Sequence, residues 1–236
     1  MREEIIKGWP DLAKLVDSHK RENWLYRGMT RRDHGLTPKV GRGGARSMDF
    51  EYDEKHERLL LEKFKRQARP MVQLRPETEF EWMAVAQHHG LNTRLLDWTE
   101  SLLVAAMFAT ESGITIIKNF QTGVQENVPP AIYGIQGLPE AKPDDDPFVL
   151  EEVKVYRPAH ISPRIAPQLA AFTVHPKPQN AFDSDELVRW TLEIDGTLEM
   201  KLALDAVGIS RASLFPGIDG LTGALNWQYK WGTLRD

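Results

Sequence analysis

The densest group of side chains able to do chemistry lies in the segment from Gln87 to Ser101. It contains His88, Arg94 and Asp97, and an apolar run follows it at once. A buried apolar helix is held firmly in place, so polar groups at its start are held rigidly too. Rigid placement of several polar groups is what a binding or catalytic site requires. This segment is therefore the first candidate for a functional site.

A helix is predicted over Thr99–Thr110, with Asp97 or Thr99 as its N-cap. A short side-chain oxygen at that position satisfies the unpaired amide groups of the first turn. Gly90 permits a turn shortly before these residues. Two interpretations are open: a functional site, or a capped helix with a buried Arg94–Asp97 pair.

Arg27 is the second candidate. The run from Asn23 to Met29 is predicted to be a strand, and its alternation places Arg27 on the face opposite Tyr26 and Gly28. An inward-pointing Arg is rarely buried unless it is paired or bound to an anion. The pattern leaves two roles, an ion pair with a carboxylate of the first segment or contact with an anionic ligand.

Length and charge bound the class of protein. The chain has 236 residues, of which 41% are apolar and 27% are charged, a balance that suits a globular protein with a real core. Its formal net charge of −4 gives no support to general affinity for nucleic acids or anionic membranes. No stretch is long and apolar enough to suggest a membrane span, so no membrane partner is expected.

The absence of cysteine excludes disulfides, a thiolate nucleophile and cysteine-based zinc sites. The seven histidines show no His-Glu-x-x-His or similar spacing, and no metal site is predicted. The first residues lack the apolar core of a secretory signal. A cytoplasmic location, most simply in a bacterium, is therefore expected.

Helical periodicity appears on both sides of the first candidate segment. It predicts one broken or two short helices over residues 3–21, and longer helices over Glu51–Ala68 and Thr78–His88, the last with a capping box. Two more helices are predicted at about residues 197–207 and 219–230. Residues 30–50, rich in Arg and Gly, are predicted to form a mobile basic loop.

Strand-forming runs occupy residues 114–117, 131–135, 152–156, 171–175 and 187–194. The chain has no internal repeat and no long linker. A single α+β domain is predicted, with a mixed or antiparallel sheet flanked by helices. Residues 23–230 form its predicted core, and residues 1–22 a helical lead-in.

The chain resembles a bacterial family, the FRG domain, which takes its name from an aromatic-Arg-Gly tripeptide. That tripeptide is Tyr26-Arg27-Gly28 here. The family's central run, Gln-His-x-Gly-x-x-Thr-Arg-Leu-Leu-Asp-Trp-Thr, is similar to Gln87–Thr99. Segments Ser162–Phe172 and Leu214–Leu221 are similar as well, so the resemblance covers Asn23–Leu225.

A second, weaker resemblance is to the ADP-ribosyltransferase superfamily. One group of these enzymes opens its site with a strand ending in Tyr-Arg-Gly, followed by a polar strand end and an Ala-rich helix. Tyr26-Arg27-Gly28 and the run Leu96–Ala109 are similar in layout. That group completes its site with a glutamate before a late strand, where this chain has Gln168. A Gln can hold a ribose hydroxyl but supplies no charge, which counts against transfer chemistry.

The second resemblance implies an ADP-ribosyltransferase-like fold that uses NAD as its substrate. Arg27, with Gly28 beside it and Arg94 as a helper, is expected to hold the diphosphate, because guanidinium groups bind phosphate oxygens in pairs. Trp98 or Tyr26 is expected to stack on the nicotinamide.

The same resemblance suggests the catalytic residues. Cleavage of the nicotinamide–ribose bond builds positive charge on the sugar, as in glycoside hydrolysis. Asp97, Thr99 or Gln168 is expected to lie near the ribose. His88 is expected to orient the site or to move a proton.

Three hypotheses follow. The first is an NAD-dependent ADP-ribosyltransferase or NAD-cleaving effector in a toxin or phage-defence setting, with a nucleic-acid or protein acceptor. The second is a non-catalytic module that binds a nucleotide or a nucleic-acid end. The third is a motif that only fastens the core. The first two require a nucleotide ligand, and the sequence carries no signal of oligomeric state.

Overall fold

The computed structural model describes residues 1–42, 51–72, 75–111, 115–118, 125–158 and 165–234. The strands are β1 (Arg2–Ile6), β2 (Leu25–Met29), β3 (Leu95–Thr99), β4 (Thr115–Lys118), β5 (Gln125–Val128), β6 (Ala131–Ile135), β7 (Lys154–Tyr156), β8 (Ala170–Val174) and β9 (Val188–Leu192). Seven of them form a mixed sheet in the order β1-β9-β6-β2-β3-β8-β7, and β4 pairs with β5. The predicted α+β fold is confirmed.

The helices are α1 (Trp9–His19), α2 (Glu54–Ala68), α3 (Glu79–His88), α4 (Leu102–Thr110), α5 (Ile165–Gln168), α6 (Thr197–Ala206), α7 (Arg211–Leu214) and α8 (Ile218–Trp231). Helices α2, α3, α6 and α8 confirm four predictions. The capping box of α3 is present, because Thr78 Oγ1 accepts from Glu81 N at 3.2 Å and Glu81 Oε2 accepts from Thr78 N at 3.4 Å.

The N-terminal residues differ from the prediction. The pattern predicts helix over residues 3–21, but residues 2–6 form β1, which pairs in parallel with β9. So short a segment before Gly8 cannot sustain a helix, whereas the edge of β9 offers partners for its backbone groups. Trp190 Nε1 also donates to Glu4 Oε2 at 2.9 Å. The N-terminus is therefore part of the sheet and not a helical lead-in. Within residues 3–21, α1 confirms the predicted helix only from Trp9 to His19.

Strand β3 corrects the interpretation of the candidate segment. Its residues pair with β8 and make one register pair with β2, so Asp97 and Thr99 lie on a strand and cap no helix. The N-cap of α4 is Ser101, whose Oγ accepts from Val104 N at 3.4 Å. The neighbouring strands decide this outcome, because they satisfy the backbone groups of β3.

Helices cover one face of the sheet in two groups. α1, α4 and α6 pack over β2, β6 and β9 in one core cluster, and α2 and α3 pack over β3 and β8 in another. Tyr26, which belongs to the first cluster, is paired with Thr99, so their side chains lie on the same face of the sheet. Leu95, which belongs to the second cluster, is four residues from Thr99 on β3 and therefore lies on that face as well. Both groups therefore lie on one face. Leu36 and Trp98 belong to a third cluster on the opposite face.

Helix α4 lies directly on β2. Gly28 permits this close approach, because a Cβ there would overlap the Ala105 carbonyl oxygen and the Ala109 amide nitrogen. The glycine that was expected to contact a ligand thus has a packing requirement as well.

Arg94 is fully buried and fastens α2 to β3. Its backbone N and its Nε donate to Glu57 Oε1 at 3.1 and 3.2 Å, and its Nη2 donates to Glu57 Oε2 at 2.8 Å. Further bonds run from Nη2 to Tyr52 OH and from Nη1 to Pro147 O. The predicted Arg94–Asp97 pair is therefore wrong. A buried guanidinium is best compensated by a carboxylate that is also shielded from solvent, and Glu57 is such a carboxylate.

We expect Glu57→Gln to destabilise the protein by about 3–5 kcal/mol, because it leaves the buried Arg94 charge without its counter-ion. The matched control on the same helix is Glu62→Gln, which breaks an exposed contact with Lys65 and is expected to cost no more than about 1 kcal/mol. Urea unfolding of both variants measures the difference. Equal losses would show that the buried pair does not hold α2 in place.

Candidate functional site

A cavity of about 330 Å³ lies between the two helix groups. Strands β2, β3 and β8 form its floor, and residues of α3, α4, α5 and the α7–α8 connection form its walls. The following predicted site residues line it: Tyr26, Arg27, Gly28, His88, Asp97, Trp98, Thr99 and Gln168. Arg94 is excluded from the cavity, because its guanidinium is held in the core by Glu57.

Arg27 lies where β2 and β3 separate. The two strands share the single register pair Tyr26–Thr99. Beyond it, Arg27 Nη1 donates to the Asp97 carbonyl oxygen at 2.5 Å and lies 3.4 Å from Asp97 Oδ2. The side chain thus takes the place of a backbone hydrogen bond of the sheet. Arg27 Nε is buried and has no hydrogen-bond partner among the described residues.

A second guanidinium, that of Arg42, lies near Arg27 and Asp97. The Asp97 side chain is 61% exposed, so solvent screens its contact with Arg27. Burial and the nearby Arg27 guanidinium lower the pKa of Arg42, while Asp97 raises that pKa. Two guanidinium groups near one exposed carboxylate suit the binding of an anion such as a phosphate.

Asp97 is oriented by a short relay of polar side chains. Gln87 Nε2 donates to Asp97 Oδ1 at 2.8 Å, and Thr93 Oγ1 donates to Gln87 Oε1. The carboxylate is therefore fixed although it is exposed. Such a group can accept a hydrogen bond from a ligand hydroxyl or stabilise a positive charge that develops beside it. Gln87 was not among the predicted site residues, although it opens the motif of the candidate segment.

Thr99 and Gln168 are committed to protein partners. Thr99 Oγ1 donates to the Gln168 carbonyl oxygen at 2.6 Å and accepts from Ser101 N at 3.1 Å. Gln168 Nε2 donates to the Leu214 carbonyl oxygen at 2.9 Å. These bonds join α5 to β3 and α7 to α5, so Thr99 and Gln168 hold in place the cavity wall that these helices form.

The rings of Tyr26 and Trp98 are buried in the core, at 4% and 3% exposure. The Tyr26 hydroxyl lies 2.9 Å from His19 Nδ1, and Trp98 Nε1 donates to Thr173 Oγ1 at 2.8 Å. Alternation along β3 turns Trp98 onto the face opposite Asp97. Neither ring is placed to stack on a nicotinamide, which corrects both predicted roles.

Two phenylalanines that were not predicted supply the exposed aromatic surface of the cavity. Phe108 and Phe215 are half-buried, and their rings meet edge to face with centroids 5.9 Å apart. Sequence signals for both exist, since Phe108 belongs to the apolar run after the candidate segment and Phe215 to the Leu214–Leu221 segment. Their meeting depends on the fold.

Residues 22–115 match the family model described as FRG domain. The chain contains an FRG domain. No curated protein and no solved structure matches the chain. The matched part of the FRG domain supplies Arg27, His88 and Asp97 to the cavity, whereas Gln168 and Phe215 come from the later part of the chain.

His88 lines the cavity from the last residue of α3. Its ring meets that of His89 edge to face, with centroids 4.9 Å apart.

The loop after β2 is fastened over the part that the structure describes. Val40 N donates to the Thr93 carbonyl oxygen at 3.3 Å, and Lys39 Nζ donates to the Gly90 carbonyl oxygen at 3.0 Å. Leu36 is buried. Residues 30–42 are thus tied to the central FRG motif, in contrast to the predicted mobile loop, and residues 43–50 lie outside the described residues.

The described ranges contain neither a metal-binding cluster nor a membrane-spanning helix. There, no three His, Asp or Glu side chains come together in a way that would hold a metal ion. Each helix in those ranges is too short or too polar to cross a membrane.

His175 is buried behind the cavity floor. His175 Nε2 lies 2.7 Å from Thr173 Oγ1, which accepts from Trp98 Nε1. Because an indole N–H only donates, the Thr173 hydroxyl proton is available and can be donated to Nε2 of a neutral imidazole. Burial, followed by Arg27 and Arg94, lowers the pKa of His175 to about 3.

We expect this histidine to make the protein less stable in mild acid. Its folded pKa lies below the ordinary value of 6.5, so between these two values the unfolded chain binds a proton that the folded protein does not. The stability it contributes is complete above the ordinary pKa and is lost as the pH falls towards the folded value. The loss is up to about 1.4 kcal/mol per pH unit.

Denaturant unfolding of the wild type and of His175→Gln between about pH 7 and pH 4 measures this effect, since carboxylates contribute equally to both proteins. The variant is expected to show the shallower dependence of unfolding free energy on pH. Parallel curves would contradict the assignment of a neutral, buried His175.

Proposed function

We propose that the cavity binds NAD and that the FRG domain breaks the nicotinamide–ribose bond. The observation that supports this proposal is the convergence of Arg27 and Asp97, a cation and an oriented carboxylate, in one cavity. Its volume of about 330 Å³ is near the lower limit of small-molecule sites. That size suits one half of a dinucleotide, with the other half outside.

Arg27 is the proposed contact for the diphosphate. Arg27 lines the cavity beside the Asp97 carboxylate, and the N–H groups of a guanidinium bind phosphate oxygens. Arg42 adds a second positive charge nearby, and the Phe108–Phe215 pair offers an aromatic surface to the base.

Asp97 is the proposed catalytic carboxylate. In the proposed reaction the bond between C1′ of the ribose and the nicotinamide nitrogen breaks, and its electron pair leaves with nicotinamide. The positive charge that develops on the sugar is stabilised by Asp97, which supplies the charge that Gln168 lacks. This assignment keeps Thr99 and Gln168 in positioning roles.

Water or an acceptor group then bonds to C1′ and loses a proton, for which His88 is the proposed acceptor. Hydrolysis yields ADP-ribose, nicotinamide and a proton. Transfer yields an ADP-ribosylated nucleic acid or protein in place of free ADP-ribose. Either reaction in a bacterial cytoplasm fits a toxin or a phage-defence effector.

A module that binds a nucleotide or a nucleic-acid end without chemistry is the second candidate. The contact between Arg27 Nη1 and Asp97 Oδ2 at 3.4 Å favours it, because the carboxylate is then partly neutralised. Gln168 favours it too, since an amide supplies no charge. Binding of NAD without release of nicotinamide would select this candidate.

We expect Arg27→Gln to weaken NAD binding by about 10- to 100-fold, the loss of one charged hydrogen-bonding group. Arg189→Gln is the matched control. Arg189 is also a strand residue with a buried, unpartnered Nε, and it donates to the Arg32 carbonyl oxygen and to Glu3, but it lies outside the cavity. Isothermal titration with NAD compares the variants. Equal affinities, or equal losses, would assign Arg27 to the fold alone.

We expect Asp97→Asn to keep NAD binding within a few-fold while nicotinamide release falls by about 10²- to 10³-fold, because the amide retains the shape but not the charge. Mass spectrometry of released nicotinamide, beside titration of the same samples, separates binding from chemistry. Thermal melting of the variant controls for folding. Undiminished release would remove Asp97 from the reaction.

A further inference from the structure

A second cavity, of about 300 Å³, lies between helices α4, α6, α7 and α8 and is named the α6–α8 cavity. Met107, Ile209 and Trp227 give it apolar and aromatic surface, and Lys201 of α6 lines it as well. Among the described residues, none lines both this cavity and the one over β2, β3 and β8. The α6–α8 cavity is therefore a separate site, and its volume is enough for a small molecule.

Most of the charge at the α6–α8 cavity is paired or faces solvent. Arg211 donates to the carboxylate of Glu111, and its side chain lies against Gly223, where a Cβ would overlap it. These two opposite charges compensate each other. The remaining carboxylates, Asp205 and Asp219, are half-buried and exposed, so solvent screens them. The interior of the cavity therefore suits a neutral ligand better than an ion.

Lys201 extends its amine to the C-terminal end of α4. Its Nζ donates to the carbonyl oxygens of Thr110 and Glu111 at 3.4 and 3.2 Å, and it lies 5.0 Å from the centroid of the Trp227 ring. Both acceptors are neutral. A neutral amine has two N–H groups and a lone pair, whereas an ammonium group has three donors. The neutral form can therefore make both hydrogen bonds and keep its lone pair for a ligand.

The surroundings of Lys201 favour this neutral form. Burial lowers the pKa of Lys201 from its ordinary value of 10.5 to about 8, although Asp205 raises that pKa. At pH 7 roughly 10% of an amine with that pKa is neutral, compared with about 0.03% of an ordinary lysine. A lysine in a partly apolar cavity is activated as a nucleophile in this way.

We propose that Lys201 is a nucleophilic amine and that the α6–α8 cavity binds a small aldehyde with an apolar body, which Lys201 captures as an imine. The nitrogen lone pair forms a bond to the carbonyl carbon. The carbon–oxygen bond then breaks, and water leaves with the carbonyl oxygen and both amine protons. A proton taken up from solvent gives an iminium group, whose single N–H can donate to the Glu111 carbonyl oxygen. This proposal is independent of the chemistry proposed for NAD.

Reductive trapping of the whole chain with benzaldehyde and sodium cyanoborohydride at pH 7 tests the reaction. Lys230 is the matched control, because its Nζ also lies near a Trp ring, 5.4 Å from the centroid of Trp231, but the residue is exposed. Peptide mass spectrometry is expected to show benzylation of Lys201 at least about 10-fold faster than that of Lys230, since more of its amine is neutral. Equal rates at the two lysines overturn the proposal.

The dependence on benzaldehyde concentration separates a binding site from an amine that is only reactive. The rate at Lys201 is expected to saturate, and benzyl alcohol, which has a similar shape but no carbonyl group, is expected to slow Lys201 and not Lys230. A rate at Lys201 that rises linearly with benzaldehyde and does not respond to benzyl alcohol overturns the binding site.

Two substitutions locate the reaction in the α6–α8 cavity. Thr222→Trp fills the cavity from an exposed position on its rim, and Asn226→Trp repeats the test one turn along α8. Both are expected to abolish saturation at Lys201 without changing the melting temperature. Leu202→Trp, 38% exposed on α6 and outside the cavity lining, is expected to react as the wild type does. Saturation that persists in both cavity variants overturns the proposal.

Discussion

The hydrogen bond from Arg27 Nη1 to the Asp97 carbonyl oxygen, at 2.5 Å, joins two central strands that share one register pair. Had β2 and β3 paired along their length, backbone groups would have closed the ladder and the guanidinium would have had no place between them. A long side chain closes the gap instead. It therefore joins β2 and β3 beyond the Tyr26–Thr99 pair, and both strands line the cavity.

The two central arginines show how burial decides the use of a guanidinium. Arg94 is fully buried, and each of its three nitrogens has an acceptor from Glu57, Tyr52 or Pro147. Arg27 lies nearer the cavity and has an unpartnered Nε among the described residues. Buried polar groups are usually satisfied within the protein, and of these two arginines only Arg27 lines the cavity.

The cavity combines two parts of the chain. Its floor comes largely from the segment that matches the FRG domain, where Gly28 brings α4 onto β2 and Gln87 orients Asp97. The wall opposite α3 comes from later residues, which include Gln168 and Phe215. The cation and the carboxylate are thus set by the matched segment, and the surface offered to a base is shared with the later part of the chain.

The sequence by itself determined the features that depend on near neighbours. These are helices α2 and α3 with the Thr78–Glu81 capping box, and the alternation that turns Arg27 away from Tyr26. Periodicity and local side-chain bonds reveal such features because the interacting groups lie within a few residues of each other.

Only the tertiary structure decided the pairing of distant groups. It made strands of residues 2–6 and 95–99 because β9 and β8 satisfy their backbones, and it turned Trp98 away from the cavity. It also gave Arg94 the buried carboxylate of Glu57. Each outcome depends on which group, distant in the sequence, is buried beside the residue in question. The local sequence does not specify that partner.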